Sequence, residues 1–330
     1  MMTAALSLSL VAAPLLAFTV TLILIWWFIK GNILKVLDHP NPRSLHTMAV
    51  PRTGGLGMVL GVLGSWALLP SAPPYPVSFG VALLALVSFA DDVFGLRVFG
   101  RLMMHGAVAA WFSMALLFES HGWMIATMTA IAIVWMINLY NFMDGSDGLA
   151  GGMTLIGFSC YGSIAWLAGN ESFAMINFCI AAAAAAFLLF NFHPARIFMG
   201  DAGAIPMGFL AASLGVTGWT NGLWPMWVPV LVFSPFIVDA SVTLVKRSLR
   251  GEKIWRAHRE HYYQRLVQSG FGHRSTALLG YCVMLAAGVS AMWAMRQDPA
   301  TQLGVGMAWV GVYLTMTIGS ERYFERRRGG

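Results

Sequence analysis

"NLYNFMDGSDGLAGG", residues 138–152, lies between two stretches that are almost wholly apolar. Asn138, Asn141, Asp144 and Asp147 follow one another at intervals of three. Asn, Asp and Gly all suit turns, and one such side chain can cap a helix. Four exceed what capping requires. The stretch reads as a polar turn joining two membrane spans, with its amides and carboxylates gathered for chemistry. Gly145 and Gly148 suit a tight turn or a close approach to a ligand. A helix beginning near Gly148 would offer free N–H groups to a phosphate.

The rest of the chain fits that reading. Of its 330 residues 58% are hydrophobic and only 10% charged, against about 25% charged in a soluble domain. Such a chain cannot cover a water-facing surface of its size, and its apolar runs have the length of transmembrane helices without the alternation of barrel strands. The expected class is an all-α, polytopic integral membrane protein of about 10–11 spans, a single unit over 1–330. The spans fall near 8–28, 55–69, 77–90, 103–118, 123–139, 149–168, 173–190, 203–218, 223–245, 277–295 and 302–319. The first has no basic leader and is followed at once by Lys30 and Lys35, so it reads as an uncleaved span rather than a signal peptide. Cys160, Cys179 and Cys282 lie in apolar runs and suit helix packing.

Numbering the connections alternately places 19 of the 20 Lys and Arg on one side, with Arg296 alone on the other. By the positive-inside rule the rich side is cytoplasmic, with the N-terminus outside and the C-terminus inside. Asp91, Asp92, Asp144, Asp147 and Asp201 sort to that same side, while the opposite connections are short and hold nothing resembling a site.

Five stretches there carry the polar residues. In "LDHPNPRSLHTMAVPRTGGLG" (37–57), Arg43, His46 and Arg52 offer donors to an anion. In "FADDVFGLRVFGRLMMH" (89–105), the adjacent Asp91 and Asp92 repel each other and call for a cation or a proton-transfer task; Arg97 and Arg101 lie just downstream. The third is the opening stretch. In "FNFHPARIFMGDAGA" (190–204), Asp201 stands between Gly200 and Gly203 before a helix start. The fifth, "KRSLRGEKIWRAHREHYYQRLVQSGFGHR" (246–274), interleaves Arg, His and Tyr in a manner suited to a sugar and a pyrophosphate. Carboxylates converging on one membrane face beside phosphate-binding donors suit Mg²⁺. The reaction class that needs such a site is phosphoryl transfer between a soluble nucleotide and a lipid.

The ordered set "DDVFGL", "NLYNFMDGSDGLAGG", "FNFHPARIFMGDAG" and "HREHYYQRL" resembles the polyprenyl-phosphate N-acetylhexosamine-1-phosphate transferases, from about Asp38 to Arg274. The resemblance implies a UDP-N-acetylhexosamine and a polyprenyl phosphate lipid as substrates. It implies Mg²⁺, with Mn²⁺ as an alternative, UMP as product, and a bacterial inner (cytoplasmic) membrane location with a cytoplasmic active site. No nucleic acid is expected as a partner, and a homodimer is left open. Asp201 matches the family's metal-binding aspartate, joined in some members by an asparagine matching Asn141. Asp91 and Asp92 match the pair assigned to activating the lipid phosphate, Asp144 and Asp147 the acids required near the nucleotide. Arg101 matches a basic residue at the pyrophosphate; Arg52 and Asn138 are further substrate-binding candidates. His258, Arg259 and His261 match the loop that reads the amino sugar. The phospho-N-acetylmuramoyl-pentapeptide branch carries adjacent histidines in that loop. Here "AHREHYYQRL" is similar to enzymes that begin O-antigen or other envelope polysaccharides from UDP-GlcNAc or a 6-deoxy HexNAc.

A transporter would place ionisable residues near span midpoints and carry an internal repeat. Only Asp239 suits that model, and it can instead pair with a neighbour. A non-catalytic scaffold leaves the oxygen-donor set without a purpose.

Overall fold

The computed structural model describes residues 2–31, 36–38, 45, 49–253 and 258–328, with side chains between 11 and 326. Arg43 and His46 lie outside the described residues. In order, the chain forms α1 (Met2–Lys30), β1 (Leu37–Asp38), β2 (Val50–Pro51), α2 (Gly54–Trp66), α3 (Tyr75–Phe94) and α4 (Val98–Met143). Then follow α5 (Leu149–Leu167), α6 (Glu171–Asn191), α7 (Asp201–Thr220), α8 (Trp227–Val232) and α9 (Ser234–Leu249). A short α10 (Tyr262–Leu266) leads through a π turn into α11 (Gly272–Ala294) and α12 (Pro299–Arg328). The two short strands pair antiparallel, Leu37 opposite Pro51.

Among the described residues seven helices are long and apolar enough to cross a membrane. The protein is thus an all-α, multi-pass membrane protein. One of the seven, α4, counts twice. Its 46 residues would run roughly 69 Å if straight, at 1.5 Å per residue, yet both its ends meet the same side chain, as described below. The chain turns back at Gly122, whose φ of 77° and ψ of 170° are not helical; an L-side chain would strain there. Residues 98–121 and 123–143 are therefore separate passes. The expected span at 223–245 is likewise broken, at Phe233, the junction of α8 and α9. Pro235 at the start of α9 has no N–H to continue the ladder of α8.

The helices pack by burying small and aromatic side chains rather than by amphipathic stripes. α7 is the hub, buried along almost all of its length and packed on α3 and α4, while α12 buries none of its apolar window. Aromatic edges such as Phe112 on Phe209 and Tyr140 on Phe236 fill the gaps. Cys160 and Cys179 are buried and Cys282 is exposed, all as free thiols.

α2 and α7 meet backbone to backbone. A Cβ on Gly55 would stand 2.2 Å from the Cα of Gly203, a separation no side chain can meet. Backbone bonds run alongside, from Gly54 N–H to Phe198 O (3.0 Å), Gly55 N–H to Met199 O (2.9 Å) and Phe198 N–H to Pro51 O (2.7 Å). They tie the segment carrying Arg52 to the segment that opens α7 with Asp201.

Candidate active site

Asp201 is the meeting point. Nη1 of Arg101, in the first turn of α4, lies 3.1 Å from Asp201 Oδ2, and the Asn141 side chain, in the last turn of α4, hydrogen-bonds the same carboxylate. The reversal at Gly122 is what brings those two ends together. Arg101 Nη1 also bonds Asp91 Oδ2 in a short contact. The other oxygen of Asp91 accepts from Leu96 N–H at 2.7 Å. Arg52 Nη2 donates to the backbone oxygen of Asp92 at 2.9 Å, and its Nε lies 3.4 Å from Asp92 Oδ1. That Nε is buried and makes no hydrogen bond among the described residues.

Asp144 follows α4 directly and is half-buried. Burial first, then the charge of Asp201, raises its pKa well above the ordinary carboxylate range, although Gly200 N–H bonds to it. Among the described residues, four carboxylates (Asp91, Asp92, Asp144 and Asp201) gather about two guanidiniums, and bringing these like charges together makes their joint ionisation costly.

Beside them opens a cavity of about 320 Å³. One pole is formed by Arg52, Asn141, Asp144 and Asp201; the other by Ser146, Asp147, Asn191, Gln264 and His273. Asn191 braces the turn between the poles, its Oδ1 accepting from Gly148 N–H (3.0 Å) and its Nδ2 donating to Ile197 O (2.9 Å). At the start of α5 two N–H groups are engaged, Gly148 by Asn191 Oδ1 and Leu149 by Ser146 O at 3.2 Å.

Arg52, Arg101, Asp91, Asp92, Asn141, Asp144, Asp147 and Asp201 are therefore brought to one neighbourhood. Asn138 is not, since its Nδ2 donates to Val134 O of its own helix at 2.7 Å and it does not line the cavity. A helix advances about 100° per residue, so a spacing of three does not hold a whole row on one lining.

His258, Arg259 and His261 also lie off the cavity wall, which among the described residues the 246–274 stretch reaches through Gln264 and His273. His261 is buried, stacked between the Phe142 and Tyr263 rings. Burial first, then the charges of His261 and Arg247, pushes the His258 imidazole down to about 4, so it is neutral at physiological pH. Arg259 is exposed. Asp239, the one carboxylate that suited a transporter, accepts from Tyr262 N–H (2.9 Å) and Tyr263 N–H (3.0 Å) and so caps α10. Glu321 of α12 takes Lys246, Tyr262 and Arg265. These two carboxylates fix the loop from below.

Ser146, Asn191, Gln264 and His273 escaped the sequence reading. Ser146 and Asn191 sit inside the quoted motifs, and that position was the available signal. Gln264 and His273 sit inside the fifth quoted stretch, but the signal there was read at His258, Arg259 and His261, and only the fold shows that Gln264 and His273 are the residues that reach the cavity.

A model of the family described as Glycosyl transferase family 4 matches residues 75–219, the segment that holds every carboxylate of the cluster. The chain is 28% identical over 292 residues to the "Probable undecaprenyl-phosphate N-acetylglucosaminyl 1-phosphate transferase" of Bacillus subtilis (strain 168), covering 82% of this chain and 81% of that protein. It is 27% identical to the "Decaprenyl-phosphate N-acetylglucosaminephosphotransferase" of Mycobacterium leprae (strain TN), covering 86% and 84%. The "Undecaprenyl-phosphate alpha-N-acetylglucosaminyl 1-phosphate transferase" of Escherichia coli (strain K12) is 26% identical, covering 78% and 75%. The family match thus covers the carboxylate-bearing segment, and over most of its length the chain is similar to polyprenyl-phosphate N-acetylglucosamine-1-phosphate transferases.

Proposed function

We propose that the protein transfers N-acetylhexosamine-1-phosphate, from UDP-GlcNAc or a 6-deoxy relative, to polyprenyl phosphate. UMP is released, and the product begins an O-antigen or other envelope polysaccharide. The observation that carries this reading is the four-carboxylate, two-arginine cluster at the mouth of a cavity on one membrane face. The names of the relatives support the substrate class.

A divalent cation fits the donor set. Among the described residues no three His, Cys, Asp or Glu side chains form a closed metal cage. Mg²⁺ does not need one, because it keeps waters and phosphate oxygens and takes one or two carboxylates. Asp201 and Asn141 would hold it, and the surplus negative charge around Asp144 favours it. When bound it supplies charge neutralisation for the diphosphate and the departing UMP. Arg101 and Arg52 then meet the diphosphate from the side of Asp91 and Asp92. Asp91 or Asp92 receives the proton of the lipid phosphate or aligns its attacking oxygen, and the attack falls directly on the sugar-bearing phosphorus. The His258–His261 loop, held by Asp239 and Glu321, contacts the acetamido sugar.

The lipid tail has a place to lie. An apolar trough of about 560 Å³ runs between the second pass of α4, α7 and the α8–α9 break, lined by Ile125, Ala132, Leu139, Ala212 and Ile237 among others. Ala132→Trp fills part of it and is expected to raise KM for polyprenyl phosphate about tenfold, with KM for the nucleotide sugar unchanged. That magnitude corresponds to overpacking of about 1–3 kcal/mol. Equal rises in both constants would remove the trough from the tail's path.

The function is tested by UMP release from purified protein given UDP-GlcNAc, undecaprenyl phosphate and Mg²⁺. No release with any UDP-HexNAc would overturn the reading. Sidedness has its own test, in an inner membrane oriented by the charge bias. With native cysteines removed, Lys253→Cys should react with an impermeant thiol reagent only after spheroplasts are opened, and Glu171→Cys should react in intact ones. The reverse pattern would turn the active site outward.

A further inference from the structure

We infer that His193 is a positioning residue. It holds one oxygen of Asp147 so that the other is presented to the nucleoside half of the donor. The inference rests on the proposed function for the identity of the ligand, and on geometry for the device itself.

Asp147 and the carboxylate cluster are arranged for different tasks. Asp147 Oδ2 lies 2.7 Å from His193 Nδ1 and accepts from Ala195 N–H at 3.1 Å. A carboxylate oxygen can only accept, so the hydrogen is on Nδ1. Both donors come from the turn between α6 and α7, and together they saturate Oδ2. Among the described residues no donor is hydrogen-bonded to Oδ1. The one charged or polar group near it is His273 Nδ1 at 3.8 Å, and that nitrogen is already committed. It lies 2.9 Å from Ser146 Oγ and 3.4 Å from Asp147 N. A backbone N–H can only donate, so His273 Nδ1 accepts there, and Nε2 carries the hydrogen toward Leu45 O at 3.4 Å. His273 thus holds the backbone of the turn while His193 holds the side chain. The two rings stack with centroids 5.4 Å apart and planes 6° from parallel, so each fixes the other's orientation.

The consequence is a carboxylate of which one oxygen is tied down and the other faces a cavity. Such an oxygen takes an O–H or N–H donor and repels phosphate. It sits at the pole with Ser146, Gln264 and His273, away from Arg52 and Arg101, which are the anion's partners. The donor substrate carries suitable hydroxyl and N–H groups on its nucleoside. His193 can be altered without opening the core, since its side chain is 41% exposed while that of Asp147 is 9% exposed.

The test uses the full chain in nanodiscs and two variants. His193→Phe keeps the ring against His273 and removes the donor; His193→Asn places an amide N–H where Nδ1 stood. His193→Phe is expected to raise KM for UDP-GlcNAc about tenfold, the scale of one hydrogen bond to a charged group, with KM for undecaprenyl phosphate unchanged. His193→Asn is expected to recover most of that loss. Equal impairment of the two variants, a shift in the lipid constant instead, or no change in His193→Phe would each overturn the proposal. If the wild-type protein releases no UMP, the functional reading fails separately. The same variants are then compared by direct UDP binding, where weaker binding by His193→Phe alone upholds the role of His193 and equal binding overturns it.

Discussion

Replacing Asp201 by Asn is expected to lower kcat for UMP release by about 10²–10³-fold, the range seen when one electrostatic stabiliser of a transition state is lost. The amide keeps the shape of the carboxylate and its contact with Asn141, but removes the charge on which Arg101 and the proposed cation converge. Two further outcomes are expected. The Mg²⁺ concentration for half-maximal activity should rise, because the site's surplus negative charge falls. The folded protein should persist, since Asp201 opens a helix rather than filling the core. Near-normal turnover at low Mg²⁺ would remove Asp201 from the metal's coordination.

Arg101→Ala should cost as much activity, for the opposite electrostatic reason. Its guanidinium is shared by Asp91 and Asp201, with side-chain exposures of 27%, 9% and 23% respectively. Removing it strands two carboxylates. A fully buried broken pair costs about 3–5 kcal/mol; partial solvation here reduces that to about 2–3 kcal/mol. A lower Tm is therefore expected, and Mg²⁺ should restore part of it, because a divalent cation can stand in for the missing charge. The two variants are expected to shift the metal requirement in opposite directions, Asp201→Asn upward and Arg101→Ala downward. Shifts in the same direction would show that Arg101 and the cation do not compete for one pool of negative charge.

The membrane architecture was legible because apolar length and charge sidedness are written locally. Most expected spans coincide with a helix, including the two passes that the structure joins as α4, but the one expected at 223–245 is split between α8 and α9. The sequence did not disclose how those passes meet. Gly122 looked like any connecting glycine, yet its reversal carries Arg101 and Asn141 to one carboxylate. Asp91, Asp92, Asp144 and Asp201 were recognisable because charged groups at span ends are costly and must have partners. Asn138 was grouped with them by spacing alone, and the helix turns it back onto Val134. Asp239 looked like a membrane-buried relay because its partners, the amides of Tyr262 and Tyr263, are backbone groups that no residue type announces. His193 and His273 were passed over because each makes sense only against the other, 80 residues away in the chain.

The contact between Gly55 and Gly203 carries a consequence for genetics. Neither residue offers a functional group, and neither touches the cavity. Yet a methyl group at either position must push α2 from α7, and with it Arg52 from Asp201. In a screen for loss of sugar-phosphate transfer to polyprenyl phosphate, alleles at these two glycines should recur as often as alleles at the acids themselves. A second-site suppressor should be found where a neighbour such as Met199 shrinks, not where charge is restored. An investigator reading only phenotypes would place both glycines among the catalytic residues.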